Sequence, residues 1–196
     1  YTLRTLFPYT TLFRSAVTLS TYARPPFILT KGKRCSVWDT DGREYLDFSG
    51  GIAVNALGHA DEGVQAVIAD QSGLLVHNSN LWHNEWAGEL AALLVESTQT
   101  LGGMGFASAA PAEAEAAVPG ASSGLKVFFS NSGTEANEGA LKFARKWGKV
   151  TCKSPCHSTC DTCEKVEIVS FKDGFHGRSM GVLSATWQTK YQAPFA

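Results

Sequence analysis

The feature that most constrains this sequence is a short apolar run that ends at small polar residues and passes directly into a helical pattern. Residues 127–129 read Val-Phe-Phe, and Ser-Asn-Ser-Gly-Thr-Glu-Ala-Asn-Glu follows over residues 130–138. A helix that begins where a strand ends has unpartnered backbone N–H groups at the positive end of its dipole. Such a turn can bind a phosphate or another anion without a basic side chain.

Two interpretations of this turn are open from the residues alone. Ser132-x-x-Glu135 fits a capping box, in which the Ser oxygen accepts from a backbone N–H and the Glu reaches back. Alternatively, Gly133 lets the backbone approach an anion closely and Thr134 adds a hydroxyl donor, which favours a phosphate site.

A second apolar run, residues 166–171, is followed by a turn that reads Asp-Gly-Phe-His-Gly-Arg over residues 173–178. Phe175 could be a core residue and Arg178 a surface charge. Beside an anion site, however, an exposed Phe175 can stack on a heteroaromatic cofactor, and the planar fork of Arg178 suits a carboxylate. The two turns together suggest a site for a flat, phosphorylated cofactor and a carboxylate substrate.

The pattern around these turns alternates between strand and helix. We predict a strand at 126–130, a helix at 133–148 and a strand at 166–171. This order favours a βαβ unit and a mainly parallel sheet, in which ligands bind at the carboxyl ends of the strands.

Upstream of this unit, the pattern predicts short strands and then helices. The predicted strands are 27–30, 36–39 and 44–48, with a tight turn at Asp41-Gly42. Helical patterns begin at Asp61 and at Asn84, which we expect to cap its helix.

Composition and charge exclude several classes of function. The formal net charge is −1 with no basic stripe, so nucleic acid is not an expected partner. No apolar run is long enough to span a bilayer, so we expect no membrane partner.

Four of the five cysteines form a cluster that invites a metal interpretation: Cys152, Cys156, Cys160 and Cys163. Zinc sites usually pair two short knuckles across a longer gap, which this cluster lacks, and the histidines share no metal-ligand spacing. We therefore expect no metal site, and keep a zinc-binding or interaction module as the non-enzyme alternative.

Composition also divides the chain. Residues 1–15 are rich in Ser, Thr and Arg, like a mitochondrial transit peptide, but resemble translated sequencing adapter; we favour a non-native leader. We predict insertions at 98–124 and 150–164, because neither segment buries enough apolar surface to offset its ordering entropy. The expected domains are 16–83, part of a small domain, and 84–196, part of a larger one.

Several motifs in order give the chain a recognisable resemblance. They include Trp-Asp-Thr-Asp-Gly-Arg-Glu-Tyr-Leu-Asp-Phe at 38–48, Ser-Gly-Thr-Glu-Ala-Asn at 132–137 and Phe-His-Gly-Arg at 175–178. With these motifs the chain resembles the N-terminal part of class III pyridoxal-phosphate aminotransferases, most closely fungal members that use N2-acetylornithine. The resemblance implies fold type I, with the large mainly parallel-sheet domain only partly present.

The resemblance also implies roles for individual residues. Ser132, Gly133 and Thr134 would hold the cofactor phosphate, and Phe175, with His176 beside it, would lie against the pyridine ring. Arg178 would bind the substrate α-carboxylate, and residues 52–55 would lie near the substrate side chain. The family's Schiff-base lysine has no match in these residues, so we expect no catalytic residue here and an inactive fragment.

For the whole protein, the resemblance implies transfer of an amino group from N2-acetylornithine to 2-oxoglutarate in arginine biosynthesis. Pyridoxal 5'-phosphate is the implied cofactor, a homodimer the implied assembly and the mitochondrial matrix the implied location, with the cytoplasm as the alternative. Ornithine or 4-aminobutyrate aminotransferase is the alternative within the same class.

Overall fold

The computed structural model describes residues 18–19, 21–100, 124–151 and 166–195. They belong to two compact units, Tyr1–Trp82 and His83–Ala196, which are described separately. None of the helices in these ranges is long and apolar enough to cross a membrane. The cysteine cluster and the predicted leader lie outside the described residues, as does most of each predicted insertion.

The first unit contains a three-stranded antiparallel sheet. Its strands, in spatial order, are Leu29–Lys33 (β1), Ser36–Asp39 (β2) and Glu44–Leu46 (β3). The register pairs Lys33 with Ser36 between the first two strands and Trp38 with Glu44 between the last two. The middle strand has the predicted bounds, whereas β1 lies further along the chain than predicted and β3 stops at Leu46 instead of residue 48.

The predicted turn between β2 and β3 forms around a buried carboxylate. Asp39, only 3% exposed, accepts hydrogen bonds from the backbone N–H groups of Asp41 and Arg43 at 2.9 Å and from the Tyr45 hydroxyl at 2.8 Å. Gly42 takes a φ of 80°, as a tight turn requires. Burial raises the pKa of Asp39, but the hydrogen bonds outweigh it and leave this pKa below its ordinary value.

Two helices complete the first unit. They are the four-residue Gly50–Ala53 (α1) and Glu62–Ser72 (α2). Asp61 caps α2, because its side chain accepts from the backbone N–H of Val64 at 2.9 Å, which confirms the predicted helix start. In α1, Gly51 and Ile52 have positive φ, so this turn is not a regular right-handed helix.

The second unit is helical in its described part. Its elements are Glu85–Thr100 (α3), Gly133–Val150 (α4), Met180–Ala185 (α5), Thr189–Gln192 (α6) and a 3₁₀ turn at Ala193–Phe195. The Asn84 side chain accepts from the N–H of Ala87 at 3.2 Å and so caps α3, as predicted. Helix α4 begins at the predicted residue and ends two residues later than predicted.

The two strands predicted in the second unit are not formed. Residues 126–130 and 166–171 have no strand structure, so the described residues contain no parallel pair. A strand exists only through hydrogen bonds to a neighbouring strand, and these segments do not pair with each other. Their side chains are also largely solvent-exposed, with Val169 97% and Phe171 90% exposed, whereas strands of a parallel sheet are buried on both faces.

The buried apolar side chains of the described residues are few: Val37 in β2, Val95 in α3, and Val182 and Leu183 in α5. Val182 and Thr186 are fully buried and Leu183 is nearly so, where α5 packs against α4. The apolar faces of α2 and α3 are instead exposed, as at Val67 and Leu93. The fully buried side chains therefore lie where α4 meets the segment that carries the Phe-His-Gly-Arg turn.

Candidate functional site

The first part of the site is the turn that leads into α4, here called the phosphate turn (residues 131–134). Ser132 has extended backbone angles, and its Oγ accepts from the N–H of Glu135 at 3.3 Å. The Glu135 carboxylate accepts from the N–H of Asn131 at 2.6 Å. The capping interpretation is therefore confirmed, with the Glu reaching one residue further back than a standard capping box.

Capping does not use all the donors of this turn. The backbone N–H groups of Gly133 and Thr134 have no acceptor among the described residues, as expected for the first positions of a helix. A Cβ at Gly133 would meet nothing within 4 Å. The turn thus offers two N–H donors, open space and the positive end of the 18-residue helix α4, which is the chemistry of an anion site.

The second part of the site is the arginine loop (residues 174–179). Thr186, fully buried, holds it from the C-terminal side: the Thr186 Oγ1 accepts from the N–H of His176 at 3.0 Å. The N–H of Trp187 donates to the carbonyl of Gly174 at 3.1 Å. The loop is therefore fixed by residues ten and thirteen positions further along the chain than the groups that they bind.

The phosphate turn and the arginine loop touch at Gly177. This residue has a φ of 136°, and a Cβ there would lie 2.5 Å from the Thr134 Oγ1 and 2.7 Å from the Val182 Cγ2. Only glycine fits both the backbone angle and the space. The structure thus brings together the two motifs that the sequence singled out.

Two side chains of α4 bind the arginine loop from the other side. The Asn137 Nδ2 donates to the carbonyl of His176 at 2.7 Å. The Glu138 Oε1 accepts from the Ser179 Oγ at 2.5 Å and from the N–H groups of Gly181 and Val182 at 3.0 and 3.2 Å. These bonds lower the pKa of Glu138, the Ser179 hydroxyl having the largest effect.

Phe175 and Arg178 form the exposed face of the loop. The Phe175 side chain is 60% exposed, so its ring is accessible to a ligand. The Arg178 Cζ lies 5.4 Å from the Phe175 ring centre and 3.8 Å from that of Tyr191 on α6. Two aromatic faces therefore flank the guanidinium and restrict where it can point.

The His176 ring differs from its neighbours because it turns inward. Its Nε2 is buried and has no hydrogen-bond partner in the described part of the chain. A Cβ on Gly174 would lie 3.1 Å from that nitrogen, so the ring lies closely against the backbone. A buried nitrogen without a partner is uncommon and fits a group that is completed by a ligand or further protein.

In the first unit, residues 52–55 follow a turn in which Asp47 accepts several hydrogen bonds. The Asp47 carboxylate accepts from the N–H and hydroxyl of Ser49 and the N–H of Gly50, and pairs with the His59 Nε2 at 2.7 Å. These bonds, the Ser49 hydroxyl first, lower the pKa of Asp47. Ile52 is 86% exposed, at a φ of 64° that β-branched residues rarely adopt. The proximity of 52–55 to a substrate stays a prediction.

All six residues proposed from the sequence for the cofactor and carboxylate lie in the second unit: Ser132, Gly133, Thr134, Phe175, His176 and Arg178. Thr134 meets Gly177, and Phe175 lies beside Arg178. Sequence reasoning missed Asn137, Glu138 and Tyr191. The spacing of Thr134, Asn137 and Glu138 at i, i+3 and i+4 is the signal that puts three polar side chains on one helix face.

Comparison with known proteins agrees with this arrangement. Residues 19–196 match the family model described as Aminotransferase class-III, so the chain belongs to the class III aminotransferases. This family depends on pyridoxal phosphate and has fold type I, which confirms the predicted family and fold class.

Among curated proteins the chain is similar to mitochondrial acetylornithine aminotransferases, most of them fungal. It is 51% identical to that of Neurospora crassa over 178 residues and 48% identical to that of Yarrowia lipolytica over 190 residues. These matches cover 91% and 96% of this chain but 33% and 40% of the relatives. The chain therefore spans between a third and two fifths of the length of these relatives.

Solved structures give the same result for the fold. The N-acetylornithine aminotransferase of Stenotrophomonas maltophilia is 31% identical with a TM-score of 0.55, over 74% of this chain and 32% of that one. An omega transaminase of Pseudomonas jessenii is 23% identical with a TM-score of 0.68, over 95% of this chain and 37% of that one. At that identity the second comparison supports the fold alone.

Proposed function

We propose that this chain is part of an aminotransferase that moves an amino group from N2-acetylornithine to 2-oxoglutarate with pyridoxal 5'-phosphate as cofactor. The observation that carries the proposal is the contact of Gly177 with Thr134, which sets an anion-binding turn against a loop that bears an aromatic ring and a guanidinium. The names of the similar relatives supply the substrate class.

The residues of the phosphate turn fit the cofactor phosphate. Gly133 and Thr134 contribute backbone N–H groups, Thr134 adds a hydroxyl, and Ser132 lies adjacent. The open space over Gly133 lets phosphate oxygens approach the backbone. Because α4 supplies the positive end of its dipole, no basic side chain is needed in the turn.

The arginine loop fits the other end of the cofactor and the substrate. Phe175 offers an exposed ring for stacking on a pyridine, and His176 lies next to it with a buried, unpartnered nitrogen. Arg178 would bind the α-carboxylate that amino donor and oxo acid share, by two parallel N–H···O bonds. When bound, the cofactor supplies the electron sink of the reaction; these residues bind and orient.

We extend the proposal to the whole protein from its resemblance to the family, which implies a homodimer that acts in arginine biosynthesis. The names of the similar relatives support a mitochondrial location, which we propose is the matrix. The Schiff-base lysine of the family is not among the residues proposed here for the site, so catalysis requires residues other than those of this site.

A substrate panel on the complete enzyme tests the activity. We expect a kcat/KM for N2-acetylornithine that exceeds the values for ornithine and 4-aminobutyrate, with 2-oxoglutarate as acceptor. Preference for ornithine or 4-aminobutyrate would contradict the proposed substrate but leave the class intact. Absence of pyridoxal phosphate from the purified enzyme would contradict the assignment of the phosphate turn.

A further inference from the structure

A set of side chains on α4, outside the motifs that would touch the ligands, fixes the arginine loop to the phosphate turn. Thr134, Asn137 and Glu138 lie on one face of α4 at i, i+3 and i+4. All three contact the loop or the residues directly after it. The residues that Asn137 and Glu138 contact lie 39 to 44 positions further along the chain. One rigid helix therefore carries both the anion site and the support of the carboxylate site.

Glu138 makes the strongest of these contacts. Its Oε1 accepts three hydrogen bonds, one from the Ser179 hydroxyl and two from backbone N–H groups at the start of α5. Bonds to an ionised acceptor are about twice as strong as neutral ones. Ser179 directly follows Arg178, so the carboxylate fixes the backbone at the point from which the guanidinium projects.

The surroundings of Glu138 leave its carboxylate little freedom. A Cβ on Gly181 would lie 2.5 Å from the Glu138 Oε2, so glycine at that position is what lets the carboxylate reach the backbone of α5. Asn137 holds the preceding part of the loop through the His176 carbonyl. The loop is therefore tied to α4 on both sides of Arg178.

We infer that Glu138 is a positioning residue for substrate carboxylate binding, acting through the backbone at Ser179 to hold Arg178 at a set distance from the phosphate turn. The inference rests on the proposed role of Arg178. It predicts that loss of the Glu138 carboxylate weakens carboxylate binding while cofactor binding at the phosphate turn is retained, because the cap of α4 depends on Ser132 and Glu135.

Calorimetry on the complete, cofactor-loaded enzyme tests this with glutarate, an unreactive dicarboxylate. Glu138→Ala should raise the Kd for glutarate and the KM for 2-oxoglutarate roughly tenfold, the effect of losing charged hydrogen bonds, and change kcat about twofold or less. Glu138→Gln, which keeps an acceptor oxygen, should recover part of the affinity. The Kd for pyridoxal phosphate should be unchanged in both variants.

The matched control is Glu89→Gln, which removes an exposed carboxylate on α3 and should have no effect. If Glu138→Ala lowers cofactor affinity, kcat and thermal stability together, Glu138 has a general structural role and the inference is overturned. Should that variant fail to fold, Ser179→Ala removes one donor alone, and unchanged glutarate binding in Ser179→Ala and Glu138→Gln would overturn the inference.

Arg178→Ala separates this inference from the function on which it rests. Weaker glutarate binding in Arg178→Ala with normal binding in the Glu138 variants would overturn the positioning role and leave the proposed function intact. Normal glutarate binding in Arg178→Ala would overturn the role of Arg178 and the inference with it.

Discussion

The phosphate turn and the arginine loop lie in contact but are stabilised in opposite ways. The turn is held by hydrogen bonds between residues three or four positions apart, from Glu135 to Ser132 and from Asn131 to Glu135. The loop is held by Asn137 and Glu138, about forty positions away, and by Thr186. The turn can therefore form locally, whereas the loop depends on tertiary packing, and the two should respond differently to substitution.

The largest effect on stability and binding should come from Gly177→Ala, which adds a side chain where the phosphate turn and the arginine loop are in contact. A Cβ would collide with Thr134 and Val182, and the φ of 136° is unfavourable for alanine. Strain and overpacking should together cost about 2–4 kcal/mol and weaken both cofactor and carboxylate binding. Thermal unfolding and titration with pyridoxal phosphate would measure this.

Gly88→Ala is the matched control, because a Cβ at that position in α3 meets nothing within 4 Å. There the substitution should stabilise by about 0.5–1 kcal/mol, since alanine loses less entropy in a helix. Equal behaviour of the two variants would mean that the turn and the loop are not in contact at Gly177.

Substitutions of Ser132 should affect the phosphate turn and leave the loop unchanged. Ser132→Ala removes the cap of α4 and should cost about 0.5–2 kcal/mol of stability. Ser132→Asp keeps a capping oxygen but puts a negative charge beside the proposed phosphate, so stability should persist while the Kd for pyridoxal phosphate rises. Cofactor affinity equal to wild type in Ser132→Asp would refute the phosphate role of this turn.

These two regions also show which contacts can be predicted from the sequence and which cannot. The cap of α4 was predictable because Ser132 and Glu135 are three residues apart and their bonds are local. The hydrogen bond from Ser179 to Glu138 could not be predicted, because no pattern in the sequence relates two positions that are 41 residues apart. The strands predicted at 126–130 and 166–171 were wrong for a related physical reason: a short apolar run indicates a preference for strand structure, but a strand forms only beside a neighbouring strand.

The pH dependence of stability should distinguish the loop from the turn through Glu138. Its pKa is lower folded than its ordinary value of 4.5, so its contribution is present above about pH 4.5 and is lost as the pH falls through the folded pKa. The difference in melting temperature between wild type and Glu138→Gln should therefore be constant near neutrality and shrink below pH 4.5. A difference that grows on acidification would contradict a lowered pKa of Glu138 in the folded state.

The smallest expected effect concerns Tyr191, whose ring lies 3.8 Å from the Arg178 guanidinium. A cation–π contact at an exposed site contributes about 0.5–1 kcal/mol, so Tyr191→Ala should raise the KM for 2-oxoglutarate by roughly two- to fivefold. Tyr191→Phe keeps the ring face and should stay close to wild type. Because the ring of Tyr191 contacts Arg178 and Tyr191 contributes no group to the phosphate turn, neither variant should change the affinity for pyridoxal phosphate. If Tyr191→Phe is as impaired as Tyr191→Ala, the hydroxyl and not the ring positions Arg178.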